Sequence, residues 1–329
     1  MGWELASEGL GVRKGETGQA YDSGVLEVRM DVWPELPQAR WAETGTTLQL
    51  WTQVVGKIRM TLTPALNQCW NVTLYPTARG LTTMPMWHGT RVLQIDFDFL
   101  SHELVLETSD GGREVVKLRS MSVAEFYKAV MKALDVLGTP VKIWTHPMEM
   151  EGAIPFEQDE THKAYDAEIV QRFWRILLQT ERVFSVFRAR FTGKVSPVHL
   201  FWGALDLACT RFSGRPAPEH PSMPGLPDRV TRDAYSQEVS SAGFWPGTKD
   251  VGAFFYSYAY PEPKGYREYK VKPEEGRFDA AFGEFILPYA AMRSMEDPDG
   301  TLLDFLQSTY EAAANLAGWD RKALETASP

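Results

Sequence analysis

Apolar residues return every three or four positions at Leu48, Trp51, Val54, Val55, Ile58 and Leu62. That spacing predicts an amphipathic helix, and Pro64 stops it. The stretch WNVTLYPTARGLTT reads as extended. VLQIDFDF alternates apolar with acidic residues, the pattern of a half-buried strand. SHEL then turns into LVLETS, and Asp110-Gly111-Gly112 turns that into REVVKL, a strong hairpin signal. Ser122 and Glu125 form a capping box for SVAEFYKAVMKALDVLG, a helix that ends at Gly138. VKIWTHPMEM is expected as a strand. From Asp166 to Arg190, Ile169, Phe173, Ile176, Leu177, Val183, Phe184 and Phe187 mark a long helix. VHLFWGALDLACTRF reads as a strand or strand pair. Residues 213–250, rich in Pro, Gly and Ser, read as a long insertion. AFFYSYAY and GEFILPY read as strands. Thr301 with Asp304 caps a last helix that ends at Gly318.

The order of elements occurs twice. Leu48, Val54, Arg59 and Thr63 match Leu177, Val183, Arg188 and Thr192 at an offset of 129, and Trp70 and Arg79 match Trp202 and Arg211 at 132. This predicts an α+β fold of two similar helix–antiparallel sheet–helix halves, an internal duplication. The competing explanation is chance likeness between amphipathic helices. The halves are residues 31–150 and 151–329, the second carrying the 213–250 insertion. Residues 1–30 are expected as a flexible arm. By element order alone the arrangement is analogous to helix-grip or TATA-binding-like repeats. Two sheets covered on one side each would enclose a cleft where they meet.

Composition narrows the classes. The 329 residues are 44% hydrophobic and 23% charged, which excludes a disordered chain, a collagen and a disulfide scaffold. Lys plus Arg number 34 against 43 acidic residues, a net charge of −9, and the basic residues are dispersed. No nucleic-acid partner is expected, because such binders need a basic stripe against phosphates. Two cysteines in so long a chain suggest a reducing, cytoplasmic setting. No apolar run suits a membrane span, and the first residues lack the apolar core of a signal peptide. Dinucleotide, Walker, zincin and serine-hydrolase motifs are absent, so no cofactor is specified.

Candidate chemistry is scattered. On an alternating strand Arg79 shares a face with Asn71, Thr73, Tyr75 and Thr77, a polar face suited to a cleft. Arg79 and Arg211 would anchor a polar or anionic group there, or else bridge sheet and helix structurally. Arg211 shares a face with His199 only if Gly203 leaves the strand unbroken. His199 reads as a general base or as a structural histidine at a strand end. Glu238, near Phe244 and Trp245, reads as a desolvated general acid or as a surface glutamate. Tyr256, Tyr258 and Tyr260 alternate on one face, and with Trp202 and Trp245 suit a pocket wall. His146 with Glu149 and Glu151 offers ligands or an acid/base pair, or is simply a loop. Cys69 and Cys209 read as small buried hydrophobes.

The blocks LQLWTQVVGKIRM, WNVTLYPTARGLTT, SPVHLFWGALDLACTRFSGRPAP, EVSSAGFWPG, FYSYAYPEP and FLQSTYEAAANLAGWDR place aromatic, Pro and Gly residues in a specific order. In these the chain resembles, from about Trp33 to Glu325, a family of bacterial proteins known only as a domain of unknown function. The resemblance implies a cytoplasmic bacterial protein and no particular activity. It also implies a His just before the glutamate of the E-V-S-S block, where this chain has Gln237. The leading functional expectation is a small-molecule enzyme or binding protein with its cleft between the halves. The alternatives are a metal-dependent enzyme using some of His146, His162, His199, His220 and Glu238, and an interaction scaffold presenting residues 213–250. The oligomeric state is left open.

Overall fold

The computed structural model describes residues 31–150, 152–223 and 227–326. The expected N-terminal arm lies outside them. The first half opens with helix α1 (Gln38–Leu62). Strands β1 (Tyr75–Pro76), β2 (Gly80–Thr82), β3 (Met86–His88), β4 (Arg91–Asp98), β5 (Glu103–Thr108) and β6 (Arg113–Lys117) follow. Helix α2 (Val123–Val136) carries the expected capping box and ends before Gly138, whose φ is +64°. The strands form an antiparallel sheet in the order β1-β2-β4-β5-β6, with β3 also on β4. Residues 141–150 form no strand. They are held as an irregular strap instead.

The second half opens with α3 (Ala167–Ala189), capped by Asp166. Then come β7 (His199–Phe201), β8 (Asp206–Pro216), α4 (Asp228–Ala234), β9 (Gln237–Trp245), β10 (Phe254–Tyr260), β11 (Arg277–Asp279) and β12 (Glu284–Pro288). They make a second antiparallel sheet, β11-β12-β10-β9-β8-β7. The last elements are α5 (Tyr289–Arg293), α6 (Pro298–Leu316) and α7 (Arg321–Leu324). Helix α6 starts earlier than expected, because Asp297 rather than Thr301 caps it.

Residues 213–250 are therefore not an insertion. They hold β9, an inner strand between β8 and β10. Its SSAG run looks like a turn because small residues dominate, and the sheet needs them small. A β-carbon on Gly243 would lie 2.3 Å from Tyr256 Oη, whose ring crosses the sheet there.

Each half thus runs helix, antiparallel sheet, helix among the described residues, an α+β protein. The sheets join where Leu74 and Leu200 exchange backbone hydrogen bonds of 2.9 and 2.8 Å. One hydrophobic cluster runs through both halves. Trp41 packs tilted against Phe173 at 4.6 Å across α1 and α3, and Trp51 stacks on Phe126 at 4.7 Å across α1 and α2. No described helix is long and apolar enough to cross a membrane.

Candidate functional site

Strand alternation divides the second sheet into two chemistries. Leu207, Cys209, Arg211, Phe244, Phe255 and Leu287 share one face and are buried. Helices α3 and α6 pack against this sheet. The opposite face carries Asp206, Thr210, Ser241, Trp245, Tyr256, Tyr258 and Glu284, and bounds an open cavity of about 540 Å³. Phe201 at the end of β7, Trp202 from the β7–β8 turn, Cys69 and Trp70, Met148 and Glu149, and Tyr235 after α4 add to the walls.

The polar side of α1 holds one wall in place. Gln49, Gln53 and Lys57 lie one helical turn apart. Gln53 Nε2 donates to the Met148 carbonyl at 2.9 Å, and Gln53 Oε1 accepts from the Met148 amide at 2.8 Å. Gln49 donates to the Gly203 carbonyl at 2.5 Å, and Lys57 to the His146 carbonyl. This row straps residues 146–149 and the β7–β8 turn beside the cavity. Trp202 wedges in where α1 has Gly56, since a β-carbon there would lie 2.2 Å from its indole nitrogen. That nitrogen donates to the Val72 carbonyl at 2.7 Å.

Three carboxylates line the cavity. Tyr256 Oη donates to Asp206 Oδ2 at 2.5 Å. Burial pushes Asp206 up to about 6 against the Tyr256 hydrogen bond. Burial, then the nearby Asp206 and Asp279, push Glu284 up to about 8. Glu149 stands at the exposed rim, yet surrounding protein, then Asp206, push it up to about 7. Among the described residues neither Glu149 nor Glu284 receives a hydrogen bond. Among the described residues no Arg, Lys or His lines the cavity.

Of the expected wall residues, Trp202, Trp245 and Tyr258 line the cavity, and Tyr256 joins them. Tyr260 leaves it to donate to the Pro218 carbonyl at 3.2 Å. The other expected site residues do not line it. The strand bearing Tyr75 ends in a tight turn, where Thr77 Oγ1 accepts from the amides of Arg79 and Gly80 at 3.2 and 3.1 Å. Arg79 therefore leaves the polar face and pairs with Asp98 at 2.6 Å, its side chain 59% exposed. Arg211 lies on the helix-facing side of β8, with its guanidinium 3.5 Å from the Phe187 ring and 4.3 Å from Tyr310. It donates to the Phe187 carbonyl, and burial pushes it down to about 10. The two arginines share no partner.

His199 and Tyr75 lie behind the wall. The His199 ring is 4.8 Å from Phe201, 6.1 Å from Tyr75 and 6.5 Å from Trp70, and its Nδ1 is 3.2 Å from Thr73 Oγ1. Burial, then Arg59 and Arg188, push it down to about 3, so it stays neutral. Glu238 has the parity of Ser240 and Ala242, away from the cavity, and pairs with Arg215 at 2.6 Å. The neighbouring Gln237 accepts from Lys194 at 3.0 Å.

The other histidines disperse. His162 pairs with Asp159 at 2.7 Å, His146 stacks on Trp144 and His220 on Tyr235. Among the described residues no three His, Cys, Asp or Glu side chains are grouped to hold a metal ion. Glu151 lies outside those residues. Cys209 is buried as expected, whereas Cys69 is half-buried on the cavity wall.

Sequence reasoning missed Asp206 and Glu284 altogether, and it does not bring Glu149 together with them. The available signal was parity: Asp206 and Glu284 are lone acids in otherwise apolar strand segments, LDLAC and EFILP.

Strained backbone gathers here as well. Non-glycine residues with φ in the left-handed region include Gln68 (54°), Cys69 (56°), Glu149 (56°) and Leu205 (59°). The first three line the cavity and the fourth precedes Asp206. Such strain costs about 1–3 kcal/mol per residue and persists only where surrounding structure enforces it.

No curated protein and no solved structure matched the chain. A family model does match, over residues 33–326, and by that near full-length agreement the chain belongs to the family of unknown function DUF5996.

Proposed function

We propose that this protein binds, and in binding positions for reaction, a small polar molecule in the cavity on the open face of the second sheet. One observation carries the reading. A sheet face built from aromatic rings and two carboxylates, with Glu149 added from the adjoining strap, is left unfilled, with about 540 Å³ of space against it. Leaving apolar walls unpacked and the Glu149 and Glu284 carboxylates without a described partner costs stability, so a site for a ligand explains what packing does not. The left-handed residues at the rim support the same reading. So does the shared order of elements, if the halves are copies of one plan with the cavity at their seam.

The anion-anchoring role of an Arg79–Arg211 pair drops out, since neither residue lines the space. Residues 213–250 contribute the inner strand β9, which supports a structural part for that stretch.

Trp202 and Trp245 report occupancy through their emission. Fragments of cavity size should quench it saturably and raise the melting temperature. Thr210→Phe, whose added ring enters open space rather than packed core, should abolish the quenching while the chain stays folded. Failure of every fragment to bind saturably, or unchanged binding in folded Thr210→Phe, would overturn the reading.

A further inference from the structure

We propose that the ligand of this cavity is an organic cation, an amine or ammonium group on a body that is itself apolar or aromatic. The inference rests on the reading of the cavity as a small-molecule site and adds the charge of its ligand. It stands on three observations about the walls taken together.

The first is the sign of the charge. Glu149, Asp206 and Glu284 contribute to the lining and no basic side chain does. Among the described residues none of the three pairs with a cation of the protein. The described ion pairs involve other residues, and only Asp206 has a described hydrogen-bond donor, Tyr256. Carboxylates close enough to disfavour each other's ionisation lower their free energy most when a positive charge arrives between them.

The second is the kind of surface between the acids. Trp202, Trp245, Tyr256 and Tyr258 present rings, and Trp70 adds one that Lys194 Nζ already approaches at 5.7 Å. Tyr256 and Tyr258 lie 17° from parallel with centroids 6.2 Å apart. Ring faces carry negative potential and attract cations, most strongly where water is displaced. An anion would meet both rings and acids unfavourably. A neutral molecule would gain the packing but leave the acids without a counter-charge.

The third is how the acids are held. The Tyr256 phenol crosses above Gly243 to reach Asp206 from two strands away. Glu149 lies against Gly203, where a β-carbon would sit 2.0 Å from Oε1. Missing side chains at Gly243 and Gly203 thus leave the room that these two groups occupy at the cavity wall.

Titration calorimetry with three probes of one shape tests the proposal: benzylamine, benzyl alcohol and benzoate. Benzylamine should bind at least tenfold more tightly than benzyl alcohol, and benzoate should not bind. Glu284→Gln and Glu149→Gln should each weaken benzylamine at least fivefold and leave benzyl alcohol within twofold. Both variants should melt no lower than the parent, because each removes like-charge repulsion, which separates lost binding from lost fold. Benzyl alcohol or benzoate matching benzylamine would overturn the cation assignment and leave the small-molecule site standing. So would benzylamine failing to bind a protein that takes other fragments. If no fragment binds at all, the cavity reading falls and the cation assignment with it.

Discussion

Arg211 shows how one residue type serves opposite ends at different positions. Its guanidinium sits among the rings of Phe187, Phe191 and Tyr310, and its Nε and Nη1 have no described acceptor. It fastens β8 to the end of α3 through the Phe187 carbonyl. Arg79, its match in the proposed repeat, is an exposed half of a surface ion pair. Arg211→Ala should therefore cost about 3 kcal/mol in urea unfolding, through lost ring contacts and a cavity. Arg79→Ala should cost less than about 1 kcal/mol, as surface pairs do. Equal effects would contradict this placement. Nothing in the residues alone separates the two, because an arginine on a predicted strand reads the same whichever face it takes. The Thr77 turn and the parity of β8 decide it.

At the scale of elements, most helices and hairpins are legible because each depends on neighbours in sequence. The Ser122–Glu125 box, the Asp110–Gly112 turn and the stop after Leu62 are all local, and all stand where expected. The misreadings are those where long-range packing overrides local preference. β9 has the composition of a loop and is ordered by β8 and β10 on either side. Residues 141–150 have the composition of a strand but pair with no sheet, and Gln53 and Lys57 hold their backbone instead. Deleting residues 213–250 should accordingly leave a chain without a cooperative thermal transition, since the second sheet loses an inner strand. A deletion variant that still melts cooperatively would return that stretch to the status of an insertion.

For the whole molecule, the cavity acids make stability depend on pH. In the folded chain burial raises Glu284 from 4.5 to about 8 and Asp206 from 3.8 to about 6, while Glu149, exposed at the rim, adds less because solvent screens it. The folded state then holds more protons than the unfolded chain, and stability falls as pH rises through these values. His199 acts in the opposite sense at lower pH, because it stays neutral when folded but gains a proton near 6.5 once unfolded. Lys57, lowered from 10.5 to about 8, also acts in the opposite sense, at higher pH. The acids dominate between about pH 7 and 8. Urea unfolding of the ligand-free protein should show stability declining across that interval, and Glu284→Gln should flatten the decline. A stability that rises from pH 7 to 8 would mean that the acids are fully solvated.

The order of residues by itself determined the class of fold, most of the helices and hairpins, the Ser122–Glu125 cap, and the aromatic residues suited to a wall. These follow from periodicity and capping, which act over a few residues. Which aromatic and which acid share a cavity was decided only by tertiary structure. Strand pairing sets the face that each side chain takes, and a shift of one residue reverses it. Asp206, Glu284 and Glu149 come together from β8, β12 and a strap held by α1, a meeting written in contacts between segments far apart along the chain.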